Sequence, residues 1–357
     1  MAKIVYAVAG EGFGHSSRSQ LIGKRFLDAG HEVVFAGSMK SLEYLKEYFG
    51  DRVHPVFGLS FVHDEGKINH FKTVIHNVGG FFEKNRVNRK LFKEIYKPFK
   101  PDLVITDFEP FSAWWAWRHG VPFISIDHEH LLTHYNVESK RKDWYPRFAA
   151  WVVTRFYYFG AFSYVVINFF KERVRSRNAV LAPPVLRSVI RQIRSSDGGH
   201  IVFYVTNGKN PDKLVNVFSA FTDRQFYIYG FNKYEERGNC IFKERSTEGF
   251  LKDLASSRGV IATAGFSLIS ECLYFRKRML LLPVSGQFEQ ITNAHYVEKL
   301  DLGMSVNELT RENVNQFLEM VDKPMPDNEQ ILWPDNKKFF EKLQGVLNKL
   351  PVPINIS

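Results

Sequence analysis

Between Gly259 and Gly303 the spacing of apolar positions switches from continuous to helical and back. The run from Gly259 is apolar and β-leaning and stops at Ala264-Gly265; Leu268, Ile269, Cys272 and Leu273 then recur at the intervals of one helix face. The stretch therefore reads strand, tight turn, helix. Met279–Leu282 forms a second apolar run closed by Pro283, and a polar loop leads into a helix over about Gln290–Leu300, with Gly303 beyond it as a stop signal. In an open α/β sheet both strand-to-helix turns of such a βαβα unit lie at the carboxyl ends of the strands, where ligands bind.

The same alternation runs through the rest of the chain. Near the N-terminus it gives a strand (Lys3–Ala9), a glycine loop (Gly10–Gly14), a helix (Ser17–Ala29) and a strand (Glu32–Ala36). Asp102–Asp107 reads as a buried strand, a helix carrying Trp114, Trp115 and Trp117 follows, and Val121–Ile126 is the next strand. Trp144–Phe170 is the most apolar region, yet Arg147 and Arg155 interrupt it and Gly160 divides it. A membrane span needs about 20 uninterrupted apolar residues, so this region reads as a helix, a turn and the last strand of a first domain. Pro183-Pro184, amid the charges of Arg173–Gly199, marks a hinge. Strands at Ile201–Val205, Gln225–Tyr229 and Cys240–Phe242 and a helix at Thr247–Ala255 lead to Gly259; an edge strand (Ser305–Leu309) and a helix (Arg311–Val321) follow Gly303. The expectation is an α/β protein of two doubly wound, Rossmann-like domains, 1–183 and 184–334. One core rarely serves 357 residues.

Composition narrows the function. The two cysteines, Cys240 and Cys272, lie in no metal-type or redox-type spacing, and the first apolar run is too short for a signal peptide, so a cytoplasmic setting is expected. The formal charge of +10 and the 15% aromatic content suggest acidic partners and an interfacial surface. No nucleic-acid-binding module is evident, which leaves an anionic lipid or an anionic small molecule. Phe81–Lys100 has the pattern of a basic amphipathic helix, suited either to an anionic membrane surface or to an ordinary core-facing position. The aromatic, Arg-bearing helix after Trp144 fits a lipid interface or a buried interdomain position equally well.

Candidate chemistry gathers at the predicted turns. Gly265 lets a ligand approach the backbone, the amides of Phe266, Ser267 and Leu268 open a helix suited to a diphosphate, and Glu271 one turn in can accept both hydroxyls of a ribose. Gln287, Glu289, Gln290 and Asn293 are the kind of cluster that reads sugar hydroxyls. The loop Gly10-Glu11-Gly12-Phe13-Gly14-His15 begins like a dinucleotide fingerprint. However, His15 stands where a small residue is needed, and Ala36-Gly37-Ser38 offers no ribose-binding acid, so a nicotinamide enzyme is not expected. Two strands end in ionisable clusters, Asp107-Phe108-Glu109 and Asp127-His128-Glu129-His130. His128 and His130 lack a further spaced ligand for a metal.

Gly265, Glu271, Pro283, Glu289-Gln290 and Asn293-Ala294 together resemble the donor-binding signature of GT-B glycosyltransferases, the group of MurG-type and UDP-glucuronosyltransferase-like enzymes. The resemblance implies two domains facing a central cleft, with a final helix (about 335–357) returning to the first. It implies that Glu271 holds the ribose, Gly265 to Ser267 the diphosphate, and Glu289 with Gln290 the donor sugar. Thr263 departs from the group, which often has His or Arg there near the phosphates; Asn207 or Lys209, in the matching turn of the first strand of the second domain, could compensate. The base is expected near Phe242 to Arg245. In the first domain the group's glycine loop faces the acceptor, which implies acceptor contacts at Gly12, Gly14 and His128. His15 is implied as general base, assisted by Asp107 or Glu109. The implied reaction is an inverting, metal-independent transfer from a UDP-sugar, with no cofactor, to a carbohydrate hydroxyl; the basic amphipathic stretches add the expectation of a lipid-linked acceptor and peripheral contact with an anionic membrane. A hydrolysing nucleotide-sugar epimerase and a non-catalytic sugar-nucleotide-binding subunit share the architecture.

Overall fold

The computed structural model describes residues 1–10, 13–58, 63–64, 67–68, 81–157, 159–206 and 208–356. Gly12 and Asn207 lie outside them. The chain divides into two compact units, Met1–Arg187 with Asp335–Ser357, and Ser188–Pro334.

The first unit is built on seven strands, β1 (Lys3–Val8), β2 (Glu32–Gly37), β3 (Val53–Pro55), β4 (Leu103–Asp107), β5 (Phe123–Asp127), β6 (Ser163–Ile167) and β7 (Ala179–Ala182). They pair in parallel in the order β3-β2-β1-β4-β5-β6-β7. Helices α1 (Phe13–Asp28), α2 (Met39–Phe49), α3 (Phe81–Leu91), α4 (Pro110–Arg118), α5 (Leu131–His134) and α6 (Trp144–Tyr157) fall between them. Every residue of β4, β5 and β6 is buried. That explains why these strands read as largely apolar runs: a parallel sheet is covered on both faces by its crossover helices.

The second unit repeats the plan. Its strands are β8 (Ile201–Tyr204), β9 (Phe226–Tyr229), β10 (Glu235–Arg237), β11 (Cys240–Phe242), β12 (Gly259–Ala262), β13 (Arg278–Leu281) and β14 (Gly303–Ser305). The order is β10-β11-β9-β8-β12-β13-β14, with only the β10 hairpin antiparallel. Helices α7 (Pro211–Phe218), α8 (Thr247–Ser256), α9 (Phe266–Tyr274), α10 (Phe288–Lys299) and α11 (Arg311–Val321) flank it, and α12 (Asn336–Leu347) is counted with the first unit. In each sheet the strand order reverses once, between β1 and β4 and between β8 and β12. Connections leave those two strands toward opposite sides, which opens the place at their carboxyl ends where α/β folds bind ligands.

Three sequence expectations are corrected. Ser163–Ile167 is not the last strand of the first sheet: Ala179–Ala182, inside the stretch taken for a hinge, adds β7 beside it. Gly303 does not stop a helix. The chain turns at Asp301, with φ 53°, and Gly303 is a strand residue whose added Cβ would fall 1.9 Å from the Met279 carbonyl oxygen. The edge strand is consequently Gly303–Ser305 and not Ser305–Leu309. In α3 and the π-helical turn that continues it, Asn88, Leu91 and Tyr96 are buried against the fold, while Val87 is exposed.

Candidate active site

In the first unit the reversal between β1 and β4 places His15, in the first turn of α1, beside Asp107, the last residue of β4. His15 Nδ1 lies 2.6 Å from Asp107 Oδ1. Arg18, one turn along α1, donates to the same carboxylate through Nε (2.6 Å) and Nη2 (2.5 Å), and the Ser19 hydroxyl adds a bond of 3.0 Å. Asp107 is fully buried and Arg18 nearly so. Burial alone would raise the Asp107 carboxyl, but Arg18 first and His15 next outweigh it and hold the group below its ordinary range. Burial likewise opposes an imidazolium at His15. Asp107 and, more weakly, Glu129 overcome it against Arg18, and His15 titrates above an ordinary imidazole.

The second ring nitrogen faces another carboxylate, His15 Nε2 lying 3.4 Å from Glu129 Oε1 in the segment after β5. Arg18 Nη2 is 2.7 Å from His15 Nδ1. Asp107 can accept from a protonated Nδ1 and Arg18 can donate to a bare one, so Nε2, facing Glu129, bears the lone pair in the first tautomer and the proton in the second. His15 is thus held between two carboxylates and an arginine.

The sequence left Asp107 and Glu109 equivalent, and the structure separates them. Glu109 is the N-cap of α4 and accepts from the Phe111 and Ser112 amides at 2.9 and 2.8 Å. Burial pushes its carboxyl up, with those bonds only partly offsetting. Between them Phe108 takes φ 53°, which turns the two carboxylates to different tasks. For a residue with a Cβ that conformation costs about 1–2 kcal/mol. The Phe108 ring stacks on His15, centroids 6.4 Å apart. His128, expected at the acceptor, is buried with Nδ1 2.9 Å from the Ile167 carbonyl oxygen, and His130 turns to Asp127 at 2.7 Å. Among the described residues no three His, Cys, Asp or Glu side chains gather as a metal ion would need. Gly14 is half-buried, its carbonyl accepting from the Ser17 hydroxyl at 3.2 Å.

Arg18 was not among the predicted site residues, and Glu129 was named only within the ionisable cluster that ends its strand. The helical interval from His15 to Arg18 was the available signal for the first.

In the second unit the reversal between β8 and β12 places Thr263, Gly265 and the start of α9 together. The Gly265 amide donates to the Thr263 carbonyl at 3.0 Å, and Gly265 is the N-cap of α9, with no side chain to satisfy its first turn. Its φ is −71°, and an added Cβ would meet no atom within 4 Å. Neither backbone conformation nor internal packing demands glycine there. Phe266 is buried, Ser267 is half-buried, and Glu271 on the next turn is only 9% exposed. Burial raises the phenol of Tyr204 at the end of β8; a bond from Thr206 opposes this, the Glu271 charge adds to it, and Arg245 opposes it, so these groups share one field.

The α10 turn is internally tied. Gln287, its N-cap, accepts from Gln290 Nε2 at 2.5 Å, and Gln290 Oε1 receives the Val284 amide at 3.0 Å. Asn293 is fully buried and donates to the Ala264 carbonyl at 3.1 Å, with Glu289 Oε1 at 3.5 Å, joining the α10 turn to the α9 turn. Phe242 is buried in the sheet core, so it is not a surface for base stacking; Arg245, three residues on, is exposed, as is Lys209.

The family model described as glycosyl transferase family 1 matches residues 2–322. An uncharacterized glycosyltransferase of Methanosarcina acetivorans is 27% identical, the match covering 87% of this chain and 85% of that protein. Among solved structures, the glycosyltransferase of kitacinnamycin superposes with a TM-score of 0.65 at 16% identity over 98% of this chain and 94% of that one. MurG of Acinetobacter baumannii superposes with a TM-score of 0.55 at 13% identity over 90% of each chain. At these identities the structural likeness is one of fold.

Proposed function

We propose that this chain, which belongs to glycosyl transferase family 1 and has the GT-B fold, is an inverting, metal-independent enzyme that moves a sugar from a UDP-sugar to an acceptor hydroxyl. Transfer of a sugar is the family's reaction; the donor, stereochemistry and residue roles are our reading. The diphosphate sits against the first-turn amides of α9 beside Gly265, where the helix dipole favours an anion. Glu271 accepts the ribose hydroxyls, and Glu289 with Gln290 reads the sugar; Thr263 and Asn293 fix the turns that carry them.

On the first unit, His15 Nε2 takes the acceptor proton as the acceptor oxygen bonds to the anomeric carbon. The bond from that carbon to the diphosphate breaks, and UDP leaves with the electron pair. One displacement at that carbon inverts it. Asp107 keeps its charge throughout, fixes the Nδ1–H tautomer and stabilises the imidazolium, while Arg18 holds Asp107 in place. No metal is needed where amides and a helix terminus meet the leaving charge. The carbohydrate or lipid-linked nature of the acceptor is carried as part of the proposal.

The observation that carries this reading is the 2.6 Å contact of His15 with a buried, ionised Asp107 at the strand-order reversal. Replacing His15 with Ala is expected to lower kcat by about 10²–10⁴-fold while UDP binding is retained. Equal loss of UDP binding, or unchanged turnover, would contradict the base assignment.

A further inference from the structure

An ordinary surface helix turns its apolar stripe inward, as α11 does with Val314, Phe317 and Val321. Helix α6 does the reverse. Trp144, Phe148 and Trp151, at i, i+4 and i+7, share one face, and that face is outward, with exposures of 67%, 56% and 38%. Tyr145 beside them is 51% exposed, while Thr154 is buried. The Phe148 and Trp151 rings stack at 6.5 Å, which makes the stripe continuous. Exposed aromatic clusters of this kind mark a surface with a partner.

The surroundings say which partner. Lys140, Arg141 and Lys142 lead into α6 and Arg155 stands out near its end, all exposed. The segment after β6 brings Lys171, Arg173, Arg175 and Arg177, also exposed, to the same region: Val174 bridges Tyr135, and the Asn136 amide donates to the Arg173 carbonyl at 3.0 Å. Tyr135 directly follows α5, which packs on α6. The acidic groups among them are Glu138, Asp143 and Glu172, outnumbered by the basic ones. Amphipathic Trp and Tyr rings bordered by Lys and Arg fit the headgroup layer of an anionic bilayer, where rings enter the acyl boundary and cations meet phosphates.

We propose that the outward face of α6, with the basic segment 171–177, is a docking surface for an anionic phospholipid bilayer. Among the described residues no helix is long and apolar enough to cross a membrane, so the contact is with the surface. It stands apart from the transfer reading: a lipid surface can be bound whether or not His15 acts as a base.

The full chain is sedimented with vesicles of phosphatidylcholine alone and with vesicles that also carry phosphatidylglycerol. Binding is expected to the second and not the first, and to weaken with added salt. Trp144→Ser with Phe148→Ser and Trp151→Ser should lower the bound fraction by about 10-fold, and Lys171→Glu with Arg173→Glu should weaken it while leaving the aromatic face intact. Trp144→Ser alone, at a mostly exposed position, guards against loss through unfolding and should show a partial decrease. No binding to anionic vesicles, or binding indifferent to all three variants, would overturn the proposal. So would self-association of the chain in velocity sedimentation that the same aromatic substitutions abolish, since a second copy would then be the occupant.

Discussion

Asp107 and Glu109, two residues apart, are pushed in opposite directions by their surroundings: Asp107 is held ionised by Arg18 and His15, and Glu109 is raised by burial at a helix cap. Such divergence separates roles in acid/base sites, and it separates two predictions. Asp107→Asn removes the chief charge favouring the His15 imidazolium. A base whose value is raised works only above that value, so the acidic limb of the kcat/KM profile should lie above about 6.5 in the wild type. It should move to lower pH in the variant, with a lower plateau; a limb that stays in place would deny the coupling. Glu109→Ala should instead cost about 0.5–2 kcal/mol of stability as a lost cap, read from denaturant unfolding, and leave that limb unmoved. The residue types here were legible in the sequence, but not their division of labour, because the φ of Phe108 that parts them is set by the fold and not by its own side chain.

At the scale of elements, two glycines make opposite predictions. Gly303 lies in β14 with no room for a Cβ beside Met279, so Gly303→Ala should destabilise by about 1–3 kcal/mol in thermal or denaturant unfolding. Gly265 has open space, so Gly265→Val should cost unfolding no more than about 1 kcal/mol, that of a poorer N-cap, while weakening UDP binding in calorimetry. A variant that binds UDP normally would remove the α9 turn from the donor site. Strands covered on both faces, such as β4, β5 and β6, were plain in the sequence because apolar residues dominate them, with only Thr106, Ser125, Ser163 and the closing Asp107 and Asp127 polar. β7 was not: three of its four residues are half-exposed and it is set among charges, the pattern of an edge. Gly303 misled because a glycine demanded by strand packing and one that ends a helix look alike in sequence.

For the molecule as a whole, two sheets of the same plan each reverse strand order once, and the candidate chemistry stands at those two places: His15 with Asp107 on one unit, Gly265 with Glu271 on the other. Apolar periodicity predicted the alternation, and the predicted turns are where these ionisable and polar groups gather. Arg18, and the place of Glu129 beside His15, emerged only when topology brought α1, β4 and the end of β5 together. The central claim is a nucleotide-sugar donor site built around Glu271, and calorimetric titration of the full chain with UDP, alongside Glu271→Ala, tests it most directly. The account predicts saturable binding that the substitution weakens by at least about 10-fold, the loss of roughly 1.4 kcal/mol expected for hydrogen bonds to a charged group. Absence of UDP binding, or equal affinity in the two proteins, would contradict it.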